Sequence, residues 1–125
     1  MLADKDAIAT VAVKDLEVAR KFYQDVVGLP PTEKQEPGAA SFKSGSSTLF
    51  AYVSQYAGTN QATAVTWVVG DEVEEIVRTL KARGVVFEHY DLPDVTLHGD
   101  IHVAGGLKLA WFKDPDGNIL AIAGR

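Results

Sequence analysis

Three histidines, His89, His98 and His102, share one stretch of this chain with Glu88, Asp91, Asp94 and Asp100. Imidazole and carboxylate are the groups that hold a divalent ion or move a proton near neutral pH. The spacing of His98 and His102 suits two ligands on one face of a helix. Gly99 between them, among Thr, Gly and Asp, opposes that helix, so the local composition fits solvated histidines on a long loop better than a displaced metal site. His102 can begin a strand and is the one weak candidate for a catalytic role, as a proton carrier. Asp114 and Asp116 look like a paired acid and base. In the run Asp114-Pro115-Asp116-Gly117-Asn118, however, they serve a tight turn, with Asp116-Gly117 supplying the positive φ that the turn demands. The sequence holds no phosphate-binding glycine loop, nucleophile elbow or zinc-protease helix motif.

Composition narrows the remaining chemistry. The chain has 125 residues, 46% hydrophobic and 23% charged, the balance of one soluble globular unit. With no cysteine, disulfides, thiolate zinc sites and cysteine nucleophiles are excluded. A formal net charge of -5, with Lys and Arg scattered, gives a nucleic acid backbone little to bind. No apolar run is long enough for a bilayer span and the N-terminus lacks a signal-peptide pattern, so a cytoplasmic protein is expected, with no membrane and no nucleic acid as partner.

The elements that must position any site come as two similar halves, about residues 1–56 and 61–125. In the first, Ile8 to Val13 alternates like a half-buried strand, and Asp15 caps a helix whose apolar stripe is Leu16, Ala19, Phe22, Tyr23, Val26 and Val27. Gly28 ends it. In the second, Ala64 to Val69 is the strand, Asp71 is the cap with Glu74 completing a capping box, Val73, Ile76, Val77 and Leu80 form the stripe, and Gly84 ends it. The same displacement separates Asp15 from Asp71 and Gly28 from Gly84. After each helix come extended pieces: near Thr32 to Gln35, Ala39 to Lys43 and Ser47 to Val53 in one half; Val85 to Tyr90, Leu107 to Lys113 and Asn118 to Ala123 in the other. Gly105-Gly106 reads as a turn, and a longer loop between Tyr90 and Gly106 sets the second half apart. A duplicated β-α-β-β-β unit follows, an α+β fold with its helices on the outer face.

Three segments carry a resemblance. VAVKDLEVARKFYQDVVGL is similar to the opening strand and helix of the vicinal oxygen chelate superfamily, the glyoxalase, bleomycin-resistance and extradiol-dioxygenase fold; LKARGVVFE and WFKDPDGNILAI resemble the end of its second helix and its closing hairpin. The resemblance covers nearly the whole chain. It implies two β-α-β-β-β modules forming a cup-shaped mixed sheet. In the family's metal enzymes, four His, Gln or Glu side chains reach into that cup and hold a divalent ion. The matching positions here are Ile8, Ala64, Ala121 and, when Phe42-Lys43 is aligned with Phe112-Lys113, Ala51. None offers a lone pair, so the implied metal ligands are missing and a cation could enter only through other residues.

Alternation along the strands then assigns faces. Ile8, Thr10 and Ala12, Ala64, Thr66 and Val68, Leu49, Ala51 and Val53, and Ile119, Ala121 and Ala123 are expected to line the cup. Phe50, Tyr52, Leu120 and Ile122 are expected under the helices. Trp111 and Phe112 must point oppositely, and the sequence leaves open which faces the cup. It also leaves open whether small inward residues make an open pocket or let the modules close on one another. The expected function is a metal-free binding protein, needing no cofactor, that sequesters or carries an apolar or aromatic ligand against Ile8, Thr10, Leu49, Ala51, Ala64, Thr66, Trp111, Ile119 and Ala121. The rivals are a lyase, isomerase or dioxygenase of the same family with a displaced or absent metal, and an interaction module with a closed cup. The resemblance also implies a homodimer.

Overall fold

In the computed structural model all residues are described except Lys34 and Gln35. Strand β1 (Ala9–Val13) leads to helix α1 (Leu16–Lys21), and then come β2 (Ala39–Ser44) and β3 (Ser47–Val53). In the second half, β4 (Thr63–Val68) leads to α2 (Val73–Ala82), followed by β5 (Phe87–Glu88), β6 (Thr96–His98), β7 (Ile101–Ala104), β8 (Leu107–Lys113) and β9 (Ile119–Gly124). Two open mixed sheets result, one ordered β1-β3-β2 and the other β4-β9-β8-β7-β6 with β5 on the free end of β8. Each half therefore sets its first strand parallel to its last, and β1 lies alongside β4. One buried cluster, with Val11, Val13, Leu49, Val65, Leu120 and Ile122 among its members, runs beneath both helices.

The first helix starts as expected, the Asp15 carboxylate accepting from the backbone N–H of Glu17 at 2.9 Å and of Val18 at 3.4 Å. It does not stay α-helical to Gly28. From Phe22 to Val26 it widens into a π turn, with Val27 N–H donating to the Phe22 carbonyl at 3.0 Å. Neighbouring Phe22 and Tyr23 can then both turn inward. Phe22 packs on Phe112 with ring centres 6.3 Å apart, and Tyr23 on Phe42 at 5.7 Å.

The second helix departs from the expected cap. Gly70 and Asp71 form a turn in which Glu72 N–H donates to the Val69 carbonyl, so Glu72 becomes the flanking residue and no side chain caps the helix. Three buried side chains on one face, Val73, Val77 and Leu80, hold it to the sheet instead. Gly84, at φ 94°, ends it as expected.

Two stretches of the connections also differ from the sequence reading. Between Tyr90 and Gly106 the chain makes a hairpin, not a loop: β6 and β7 pair antiparallel about Gly99 at φ 62°. The extended piece expected near Thr32 to Gln35 falls partly outside the described residues; beside them, Pro31 bridges to Phe42 and Glu36 to Ala39.

The larger correction concerns β3. Val11 pairs with Ala51 and Ala9 with Leu49, and Leu49 and Ala51 are buried in the core. Phe50 and Tyr52, beside Thr10 and Ala12, take the opposite face. In the second half Phe112 pairs with Leu120, whereas in the first Phe42 pairs with Leu49, so the first hairpin is one residue shorter. A one-residue change flips every side chain of the strand after it. Aligning the two Phe-Lys pairs therefore carries the wrong face into β3. The counterpart of Ala121 is Phe50, not Ala51.

Candidate functional site

The face of the second sheet remote from the helices is set by the β4-β9-β8 ladder. Thr66 pairs with Ala121 and Ala121 with Trp111, while Val65, Leu120 and Phe112 pair on the opposite, buried side. Trp111 thus faces away from the helices and Phe112 enters the core, where it is fully buried. Above Trp111 lies a hollow of about 740 Å³, walled by Ile119, Thr63, Tyr90, Leu92 and Lys113 and by the segment from Asn60 to Ala62. The Trp111 Nε1–H donates to Thr63 Oγ1 at 3.2 Å, which fixes the indole and leaves its ring in the wall.

The other expected residues separate. Ile8 is 54% exposed and lines a different, smaller hollow of about 180 Å³ with Phe50 and Ser41. Thr10 and Thr66 are exposed on the open face. Ala64 lies at a bulge between Thr63 and Val65 and rests against the core, so Thr63 pairs opposite Ile119 instead. Ala121 is buried in β9, and Leu49 and Ala51 lie on the helix side. Of the nine residues expected in one pocket, the large hollow takes Trp111 and Ile119. A third hollow, about 420 Å³, lies on the helix side between Leu29-Pro30 and α2, with Trp67 and Ile76 in its walls.

The histidines sort by burial. His98 is exposed. His89 Nε2 bonds Asp100 at 2.7 Å, and Lys81 meets the other oxygen of that carboxylate at 2.7 Å. Those two bonds, from Lys81 first, hold the Asp100 carboxyl below the usual range. His102 is no surface residue: it is 1% exposed in the middle of the β6-β7-β8 ladder. Alternation in β6 and β7 was hidden by Gly99 and Asp100, so the sequence read as loop. The His102 ring stands edge-on to Trp111 at 4.8 Å, and its Nε2 accepts from the Tyr90 backbone N–H at 2.9 Å. An accepting Nε2 puts the proton of the neutral ring on Nδ1. His102 so bonded has no free lone pair for a metal or for a substrate proton.

Asp114 and Asp116 act on architecture. Asp114 is buried and accepts from Asp116 N–H, Asn118 N–H, Asn118 Nδ2 and Tyr23 Oη. Asn118 Nδ2 also donates to the Ala12 carbonyl at 2.8 Å, and Lys14 N–H donates to Asp116 at 3.1 Å. The closing hairpin is thereby bolted to β1 and to the first helix, which sets β9 and the floor of the hollow against the other half. Burial, and then the Asp114 charge, pushes the Tyr23 phenol far above its ordinary range. Burial also raises Asp116.

A divalent ion at the four implied positions does not fit these residues. Ile8, Ala64, Ala121 and the structural counterpart Phe50 offer hydrocarbon alone. Among the described residues no three His, Asp or Glu side chains are grouped to hold one elsewhere. No described helix is long and apolar enough to cross a membrane.

A family model described as the Glyoxalase/Bleomycin resistance protein/Dioxygenase superfamily matches residues 6–122. No curated protein matches the chain by sequence. Among solved structures, an integron cassette protein from the mobile metagenome of the Halifax Harbour sewage outfall superposes with a TM-score of 0.72 at 18% identity, covering 98% of this chain and 99% of that one. Lactoylglutathione lyase from Agrobacterium tumefaciens gives 0.71 at 21% identity, covering 97% and 93%. The fosfomycin resistance protein FosX from Listeria monocytogenes, complexed with Mn(II) and sulfate, gives 0.70 at 17% identity, covering 99% and 91%. At these identities the likeness is one of fold.

Proposed function

The chain belongs to the glyoxalase/bleomycin resistance protein/dioxygenase superfamily, and on that premise we propose that it binds a small, flat, largely apolar or aromatic molecule over Trp111, without a metal, and sequesters or carries it. The observation that carries this reading is the hollow itself. Trp111, Ile119 and Leu92 give it an apolar part beside the polar Asn60, Gln61, Thr63 and Lys113, and hydrocarbon stands where the family's metal enzymes keep their ligands. A concave, mostly apolar site with a few polar groups is the usual form of a small-molecule pocket. The indole supplies a stacking face. A ligand that removes roughly 200 Å² of apolar surface from water gains about 5 kcal/mol before ordering costs are subtracted. The mechanism is burial and shape, and no bond to the ligand is made or broken.

The open face supports a second element of the reading, a homodimer. Val68 is 83% exposed and Tyr52 40%, with Ile8 at 54% beside them, all on the side of the strands away from the helices. Apolar side chains gathered on one face mark an interaction surface, and a second copy laid over it would cover them and close the hollow.

Equilibrium dialysis of the full chain against 2-acetylnaphthalene, repeated with Trp111→Ala, tests the binding. Saturable uptake that falls at least tenfold in the variant is expected. The reading fails if the folded protein takes up no flat aromatic ligand, or if the purified protein carries one equivalent of Mn²⁺, Ni²⁺ or Zn²⁺ that a chelator removes with loss of a measurable lyase or dioxygenase activity.

A further inference from the structure

Behind Trp111, in the ring cluster that backs the hollow, two buried polar atoms find no hydrogen-bond partner within the described chain. Among the described residues the Tyr90 hydroxyl and His102 Nδ1 are buried without a hydrogen-bond partner. Buried polar groups are nearly always paired, so two orphans in one cluster call for a physical cause. The rings that bear them touch: Tyr90 and His102 have centres 6.0 Å apart, and both pack edge-on to Trp111, at 5.2 Å and 4.8 Å. The cluster lies on the ligand side of the sheet, because His102 pairs with Leu109, and Leu109 with Ala123 on the face of Ala121 and Trp111. Tyr90 itself walls the hollow.

The direction of the missing bonds can be read. His102 Nε2 is used as an acceptor by the Tyr90 N–H, so Nδ1 carries hydrogen and can only donate. A phenol also donates readily. Among the described residues that line it the hollow has no carboxylate and one charged side chain, Lys113, whose Nζ lies 3.5 Å from Glu88. Two donors without acceptors, beside an aromatic floor, describe the complement of one kind of molecule.

We propose that Tyr90 Oη and His102 Nδ1 form the polar end of the site and select aromatic ligands carrying an acceptor oxygen, such as an aryl ketone, over the corresponding hydrocarbons. This rests on the binding reading above and adds the ligand class to it. The ligand oxygen is an acceptor that no described group of the chain supplies, so a matched hydrocarbon loses the difference. Tyr90 and His102 are binding residues here, and the bond to the Tyr90 N–H also makes His102 a positioning group for Tyr90.

The test is a matched pair of probes on the full chain. 2-Acetylnaphthalene and 2-ethylnaphthalene have almost the same shape and differ in the acceptor oxygen. Equilibrium dialysis should show the ketone bound about tenfold more tightly, the scale of one or two buried neutral hydrogen bonds. Tyr90→Phe deletes the hydroxyl and keeps the ring. It should weaken the ketone several-fold, leave the hydrocarbon unchanged, and leave thermal stability equal or higher because a buried orphan has gone. His102→Gln, whose amide can still accept from the Tyr90 N–H, is the second variant and should keep both the fold and the preference in part. Equal binding of the two probes, or a preference that survives Tyr90→Phe untouched, overturns the selection while leaving the hollow as a binding site. Failure of both probes to bind the folded protein overturns the binding reading and this inference with it.

Discussion

Replacing Tyr23 by Phe removes one hydroxyl and should loosen the bolt between the halves. Tyr23 Oη donates to Asp114 Oδ2 at 2.7 Å inside the core, from the first helix to the closing hairpin. The variant keeps the ring, so the aromatic packing on Phe42 and Phe22 survives. The carboxylate keeps its three other donors, two from Asn118 and one from the Asp116 N–H, so no buried charge is stranded. What is lost is one charge-assisted hydrogen bond, about 2 kcal/mol. For a domain of this size that is roughly 6–10 °C in Tm. The pH dependence carries a sign of its own. The folded state opposes ionisation of Tyr23, through burial first and the Asp114 charge second, so its folded pKa lies above the unfolded one. The contribution is therefore whole below the unfolded value of about 10 and is lost as pH rises beyond it, by about 1.4 kcal/mol per unit. Urea unfolding of both proteins from pH 7 to pH 11.5 should show the gap steady to about pH 10 and nearly closed near pH 11.5. A gap under about 0.5 kcal/mol at pH 7, or one that does not narrow in alkali, refutes the bolt.

The remaining predictions test placement. Leu49→Ala should cost about 3 kcal/mol because Leu49 is 1% exposed in the core, whereas Phe50→Ala, on the open face, should cost under about 1 kcal/mol; the reverse order in urea unfolding would restore the face read from the sequence. Gly124→Ala should fail to fold or lose more than about 3 kcal/mol, because a Cβ there meets the Gly70 carbonyl oxygen at 2.1 Å and a Val73 methyl at 2.6 Å, while Gly106→Ala, with nothing within 4 Å, should melt within a few degrees of the wild type. Asp100→Asn removes a carboxylate held below its ordinary range by Lys81 and His89, so its contribution is present above the unfolded value of about 3.9 and lost as pH falls through the lower folded one; at this site it should be no more than about 1 kcal/mol at pH 7, read as a shift of the urea midpoint that shrinks as the solution is acidified below about pH 4. Val68→Asp should shift sedimentation from dimer to monomer without lowering Tm by more than a few degrees, and an unchanged sedimentation coefficient would remove the open face as the dimer contact.

Much was legible along the chain because it is local. Asp15 caps α1, Gly28 and Gly84 stop their helices, and the apolar stripes of α1 and α2 lie where periodicity put them. Strands β1, β4, β8 and β9 match the alternating runs, and the three resembling segments pointed to the family that the match over residues 6–122 shows. Each of these is fixed by neighbours a few residues away. The absence of lone pairs at Ile8, Ala64 and Ala121 is likewise a fact of residue type.

Facing and pairing were decided elsewhere. The first hairpin, one residue shorter than the second, exchanged Leu49 and Ala51 for Phe50 and Tyr52 on the open face, and only the pairing of β1 with β3 reveals it. Trp111 was set toward the hollow by its place opposite Ala121, and His102 was buried by strands contributed from either side of it. Asp114 found Tyr23 and Asn118 found Ala12 across nearly the length of the chain. Residue types and their short-range spacing dictate which elements form, because backbone bonding and side-chain periodicity are local. Which face of a strand meets the core, and which donor is left without an acceptor, depends on partners brought together by folding, and a parity of one residue in a turn is enough to reverse the outcome.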